Sequence, residues 1–116
     1  MNIEFLRKFC LSLPGATEDI KWGHDLCFSV GGKMFCVTSF EPPFTATFKV
    51  KDEEFESLTA TQDIIPAPYL ARAKWVMVSK STRLTKKEWE QYVRQSYELI
   101  SGKLPGKLRK ELGIDI

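Results

Sequence analysis

The 116-residue sequence is 43% hydrophobic and 28% charged, apolar enough for one core and too apolar for a disordered chain. Its uncharged apolar runs are strand-sized, short of the roughly 18 residues that suggest a membrane span. Met1-Asn2-Ile3-Glu4-Phe5 carries neither the basic nor the apolar region of a signal peptide, so a cytoplasmic location and no membrane partner are expected. The net charge of +2 is unevenly divided: residues 1–68 hold 6 Lys/Arg against 10 Asp/Glu, and residues 69–116 hold 11 against 5. A basic C-terminal half suits an anionic partner, unless folding mixes the charges in space.

Asn2 can cap a first helix, because Ile3, Phe5, Leu6, Phe9, Cys10 and Leu13 recur at helical intervals. Pro14-Gly15 ends it, and the polar stretch from Ala16 to His24 reads as a loop. Leu26, Phe28 and Val30 then alternate with smaller residues before Gly31-Gly32, and Phe35 and Val37 alternate after it. Two glycines between alternating runs predict a hairpin with a primed turn. That register opposes Val30 to Lys33, Phe28 to Phe35 and Leu26 to Val37, and so also Cys27 to Cys36. The second sheet face then carries Cys27, Ser29, Met34 and Cys36.

Glu41-Pro42-Pro43 interrupts, and residues 45–50 read as a third strand with Ala46, Phe48 and Val50 on one face. Asp52 can cap a short acidic helix that turns Phe55 and Leu58 inward. Ile64 to Pro68 is extended, because each proline disfavours a helical predecessor. Tyr69 to Ala73 fits one helical turn, and Trp75 to Val78 a compact strand. Thr85 and Glu88 form a capping box, with Leu84 and Trp89 at the hydrophobic-staple positions. From Trp89 a helical stripe runs through Tyr92, Val93, Ser96, Tyr97, Ile100 and Leu104 up to Pro105-Gly106. Grouped strands with hairpin connections, rather than alternating strands and helices, predict one α+β domain over residues 1–116. It has two layers, an antiparallel sheet covered on one face by helices.

Pro14-Gly15-Ala16-Thr17-Glu18, Gly32-Lys33-Met34-Phe35, Lys74-Trp75 and Ser96-Tyr97-Glu98-Leu99-Ile100 resemble, in order and spacing, the MmcQ/YjbR-like family of small bacterial proteins. The resemblance spans nearly the whole chain. It implies a two-layer fold with an antiparallel sheet, of the kind also seen in secretion chaperones, and DNA binding by paired strand "wings". It brings no agreed catalytic residues. Family members often place Asp-Pro after the third strand, where this chain has Val50-Lys51-Asp52.

No motif points to catalysis, a metal or another cofactor. Cys10, Cys27 and Cys36 lack ligand spacing to the single histidine, His24, and the glycines form no phosphate loop. A nucleophilic thiol would need Cys27 or Cys36 to approach His24 in space. The expectation is a non-catalytic binding protein, with two partner classes open. For DNA, the candidates are Arg72, Lys74, Lys80, Arg83, Lys86 and Lys87, which bracket the Trp75 strand with no acidic residue among them. Tyr69 and Trp22, if exposed, could stack on bases. Lys86 and Lys87 oppose the dipole of the helix they begin, a cost that favours a functional reason for them. For a protein partner, the candidate is the semi-polar face of Cys27, Ser29, Met34, Cys36, Thr45 and Thr47, acting as a docking or chaperone-like surface. Oligomeric state is not legible.

Overall fold

The protein is described by a computed structural model over residues 1–114. Helix α1 (Ile3–Leu11) is followed by strands β1 (Ala16–Lys21), β2 (Asp25–Val30), β3 (Lys33–Ser39) and β4 (Ala46–Lys49). Helix α2 (Asp52–Thr59), strand β5 (Ile64–Pro66), a 3-10 turn (Ala71–Ala73) and strand β6 (Trp75–Val78) come next. A second 3-10 turn (Ser81–Arg83) leads into α3 (Lys86–Ser101) and α4 (Gly106–Glu111). The six strands form one antiparallel sheet in the order β1-β2-β3-β4-β6-β5.

The predicted two-layer α+β arrangement is what forms. Leu26, Phe28, Val30, Phe48, Val76 and Val78 share one core with Leu6 and Cys10 of α1 and with Trp89, Val93 and Tyr97 of α3. Trp89 is fully buried, lies edge-on to Phe44 and Phe48, and donates its indole N–H to the Ser81 carbonyl at 2.8 Å. That bond satisfies the one polar group of a large apolar side chain. The starts of α1 and α3 follow the sequence signals, and that of α2 departs by one residue. Asn2 Oδ1 accepts the Phe5 amide at 2.8 Å, and Thr85 and Glu88 close their box at 3.1 and 2.9 Å. Helix α2 starts at Asp52 itself; Lys51 holds the cap position, and its amide donates to Glu54 at 3.1 Å.

Two expectations need correction. Residues 16–21 are an edge strand rather than a loop. Its charged residues concealed the alternation, since an edge strand tolerates charge on both faces: Glu18, on the helix side, is held by Arg7 of α1 at 2.5 Å. The second correction concerns the hairpin. Gly31 and Gly32, at φ +59° and +79°, make the expected turn, and Val30 faces Lys33. The register then shifts: Ser29 faces Met34, but Phe28 faces Cys36 and Cys27 faces Val37. Phe35 is the extra residue of a β-bulge.

The bulge redistributes side chains between the faces. Phe35 and Cys36 both turn to the core, where Phe35 meets Tyr97 edge-on at 5.4 Å and Cys36 lies against Cys10. Val37 takes the place on the second face that strict alternation assigns to Cys36. Cys27 and Cys36 are therefore not a cross-strand pair. A buried serine bridges β3 and β4 beside the bulge: Ser96 Oγ of α3 donates to the Phe35 carbonyl at 2.6 Å and accepts the Lys49 amide at 2.9 Å.

Candidate functional site

The second sheet face is left without a helix. Cross-strand neighbours place Asp19, Cys27, Val37, Thr47, Met77 and Ile65 in one row across all six strands. Cys27 and Thr47 are buried, Val37 and Met77 half-buried, and Asp19 and Ile65 exposed. A cleft of about 600 Å³ runs over the middle of this row, with Met34, Val37, Thr47 and Met77 on its floor. The β1–β2 turn contributes Trp22, His24 and Asp25 to its lining, and the segment after β5 contributes Ala67, Pro68, Tyr69 and Leu70.

Each of these two segments carries an exposed aromatic residue on unusual backbone. Trp22 is at φ 55° and 65% exposed, and Tyr69 is at φ 66° and 104% exposed. Left-handed backbone is uncommon for any residue with a Cβ and rarer for bulky ones. Exposure of large aromatic surface at such positions runs against both the steric and the hydrophobic preference.

The six basic candidates do not converge. About 3.3 Å per extended residue puts Lys74 and Lys80 roughly 20 Å apart, at opposite ends of β6. At the far end, Lys80 is exposed, and Arg83 is tied to Asp63 at 2.8 Å. Lys86 lies over the Phe5 ring at 4.4 Å, so a packing contact accounts for a cation at that helix start. Lys87 borders a separate shallow groove with Lys51, Glu90 and Arg94. At the near end, Arg72 is exposed in the 3-10 turn and Lys74, at φ 63°, lies over Phe55 at 4.9 Å.

The near end has two cations that sequence reasoning missed. Lys49, last in β4, donates its ammonium to the Ala73 carbonyl beside Arg72. Partial burial, reinforced by the positive charges of Lys103 and Lys74 and opposed by Asp52, holds the Lys49 pKa below the ordinary lysine value. Lys49, Lys74 and Lys103 therefore sit within electrostatic range of one another, brought from three parts of the chain. Lys49 lies two residues beyond Thr47, on the same face of the same strand, outside the lining of the cleft.

Among the described residues no hydrogen bond joins a thiol to the histidine. Burial pushes the Cys27 thiol up to about 11; Lys21 opposes this, and Asp19, Asp25 and Cys36 add to it. It is protonated and a poor nucleophile near neutrality. Burial, and then the hydrogen bond with Cys36, push the Cys10 thiol up as well. His24 is exposed at the turn, its Nδ1 3.2 Å from Asp25. No three metal-ligating side chains converge among the described residues, and no helix of theirs is long and apolar enough to cross a membrane.

The family model for YjbR matches residues 11–99, from the end of α1 through most of α3. The chain belongs to the YjbR family. In its fold this YjbR-family chain is similar to Deinococcus radiodurans protein DR2400, described by the domain family DUF419. The TM-score is 0.88 and the identity 28%, over 98% of this chain and 89% of that one. It also resembles, in fold alone, a Pseudomonas syringae protein at a TM-score of 0.73 and 19% identity, over 85% of this chain and 98% of that one. No curated protein matches the sequence.

Proposed function

We propose that this YjbR-family chain is a non-catalytic nucleic-acid-binding protein whose phosphate contacts lie at the end of the sheet where β4 meets β6. The observation that carries this reading is the Lys49 ammonium held at the Ala73 carbonyl beside the exposed Arg72, with Lys74 and Lys103 within electrostatic range and Asp52 as the opposing carboxylate. Like charges drawn together raise the energy of the free protein, and a polyanion relieves that cost while releasing its own counterions. Of the six cations expected from the sequence, Arg72 and Lys74 belong to this surface. Lys80, Arg83, Lys86 and Lys87 lie at the other end of β6 and serve as an internal control.

The test is fluorescence anisotropy with a labelled DNA oligonucleotide, in single-stranded and duplex form, at several salt concentrations. Four contacts predict a log–log salt slope of roughly −3 on a single strand and roughly −3.6 on a duplex. Neutralising the exposed pair Arg72→Gln and Lys103→Gln should flatten the slope by about two contacts' worth. Lys80→Gln with Lys87→Gln should leave it unchanged. Absence of binding to either form at low salt, or equal sensitivity to the two pairs of substitutions, would overturn the proposal.

A further inference from the structure

We infer that the cleft on the open sheet face takes unpaired nucleobases, with Trp22 and Tyr69 as stacking surfaces, so that this protein prefers single-stranded nucleic acid to duplex. The inference rests on the nucleic-acid reading above and adds to it the form of the ligand.

Three observations converge on it. The cleft is floored by apolar and weakly polar side chains, Met34, Val37, Thr47 and Met77, which suit a flat heteroaromatic ring better than a phosphate. Its two flanking segments each present a solvent-exposed aromatic side chain from left-handed backbone. A fold that only needed to cover its own sheet would turn those rings inward. Finally, the cations lie outside the cleft lining but on the elements that form it: Lys49 continues the strand face of Thr47, and Arg72 follows Tyr69 by three residues.

This pairing of aromatic platforms with adjacent cations is what a single strand requires. Its bases offer free π-faces, and its flexible backbone brings phosphates alongside. In a duplex the base faces are covered by one another, and the rings would find nothing to stack on. An apolar peptide also fits a largely apolar cleft, but the cations further along the same elements favour a polyanion. Among the cleft-lining residues Asp25 is the one acid, and it lies against His24.

The probe is a labelled 15-nucleotide oligo(dT), with the matched oligo(dT)·oligo(dA) duplex as competitor, against the parent, Trp22→Ala and Tyr69→Ala. The fold should survive both substitutions because both rings are exposed, and circular dichroism checks this. Each is expected to weaken oligo(dT) binding roughly tenfold while leaving the salt slope unchanged, because stacking removes no counterions. The parent's tryptophan emission should be quenched on binding, and Trp22→Phe should abolish the quenching, since Trp75 and Trp89 are buried. Duplex bound as tightly as single strand, with no effect of either alanine, would overturn this inference and leave the phosphate-binding reading standing. No binding to either form overturns both. A dimer in sedimentation that Trp22→Ala or Tyr69→Ala dissociates would assign the face to a second copy of the chain and overturn the base-stacking inference.

Discussion

Replacing Ser96 by alanine removes one oxygen atom from the centre of the molecule and leaves two backbone groups without partners. Ser96 is fully buried in α3, and its hydroxyl serves the Phe35 carbonyl and the Lys49 amide at once. These groups need it because the ladder between β3 and β4 ends at the Cys36–Phe48 pair, and the hydroxyl bridges the next position, Phe35 to Lys49. A buried group orphaned by mutation costs about 1–3 kcal/mol. Two of them, partly relieved by relaxation, predict a loss of about 2–4 kcal/mol, a large share of the roughly 5–15 kcal/mol typical of a small protein. For a chain of this size that corresponds to a fall of about 8–16 °C in Tm. Urea denaturation of parent and Ser96→Ala at equal slope measures the loss, and amide exchange reads the Lys49 N–H directly. A loss below about 1 kcal/mol, with the Lys49 amide still protected, would refute the claim that this hydroxyl holds β3 to β4.

Thr85→Ala should cost about 0.5–2 kcal/mol by releasing the Glu88 amide, read as a lower denaturation midpoint at unchanged slope. Gly31→Ala should destabilise more than Gly32→Ala in the same assay. Both glycines have positive φ, but a Cβ at Gly31 would lie 2.7 Å from Leu104, whereas at Gly32 it meets nothing within 4 Å. The hydrogen bond from Arg7, joined by its charge and opposed by slight burial, lowers the Glu18 pKa from 4.5. A depressed folded pKa gives stability that is present above the ordinary carboxylate value and is lost as pH falls through the folded one. Arg7→Met should therefore show a shallower loss of stability than the parent over that acidic window, by a modest amount because the pair is partly exposed. Parallel acid limbs would refute it.

The sequence alone determined the features that depend on neighbours along the chain. The Thr85-Glu88 box, the Gly31-Gly32 turn, the helical stripe from Trp89 and the strand at Trp75 are local patterns, and each formed where periodicity and capping chemistry required. Four short motifs were also enough to suggest the family. Tertiary structure decided what depends on distance across the chain. Whether residues 16–21 form a strand depended on a free edge of β2, and Arg7 had to be near enough to hold Glu18. The Phe35 bulge was equally hidden, because strict alternation and a one-residue slip predict opposite faces for every residue beyond it. The six cations adjacent in sequence were separated by the length of β6, while Lys49 and Lys103, 54 residues apart, were brought together at the sheet's end. Charge proximity is a property of three-dimensional packing. A count of lysines along a segment reports only which ones are available to take part.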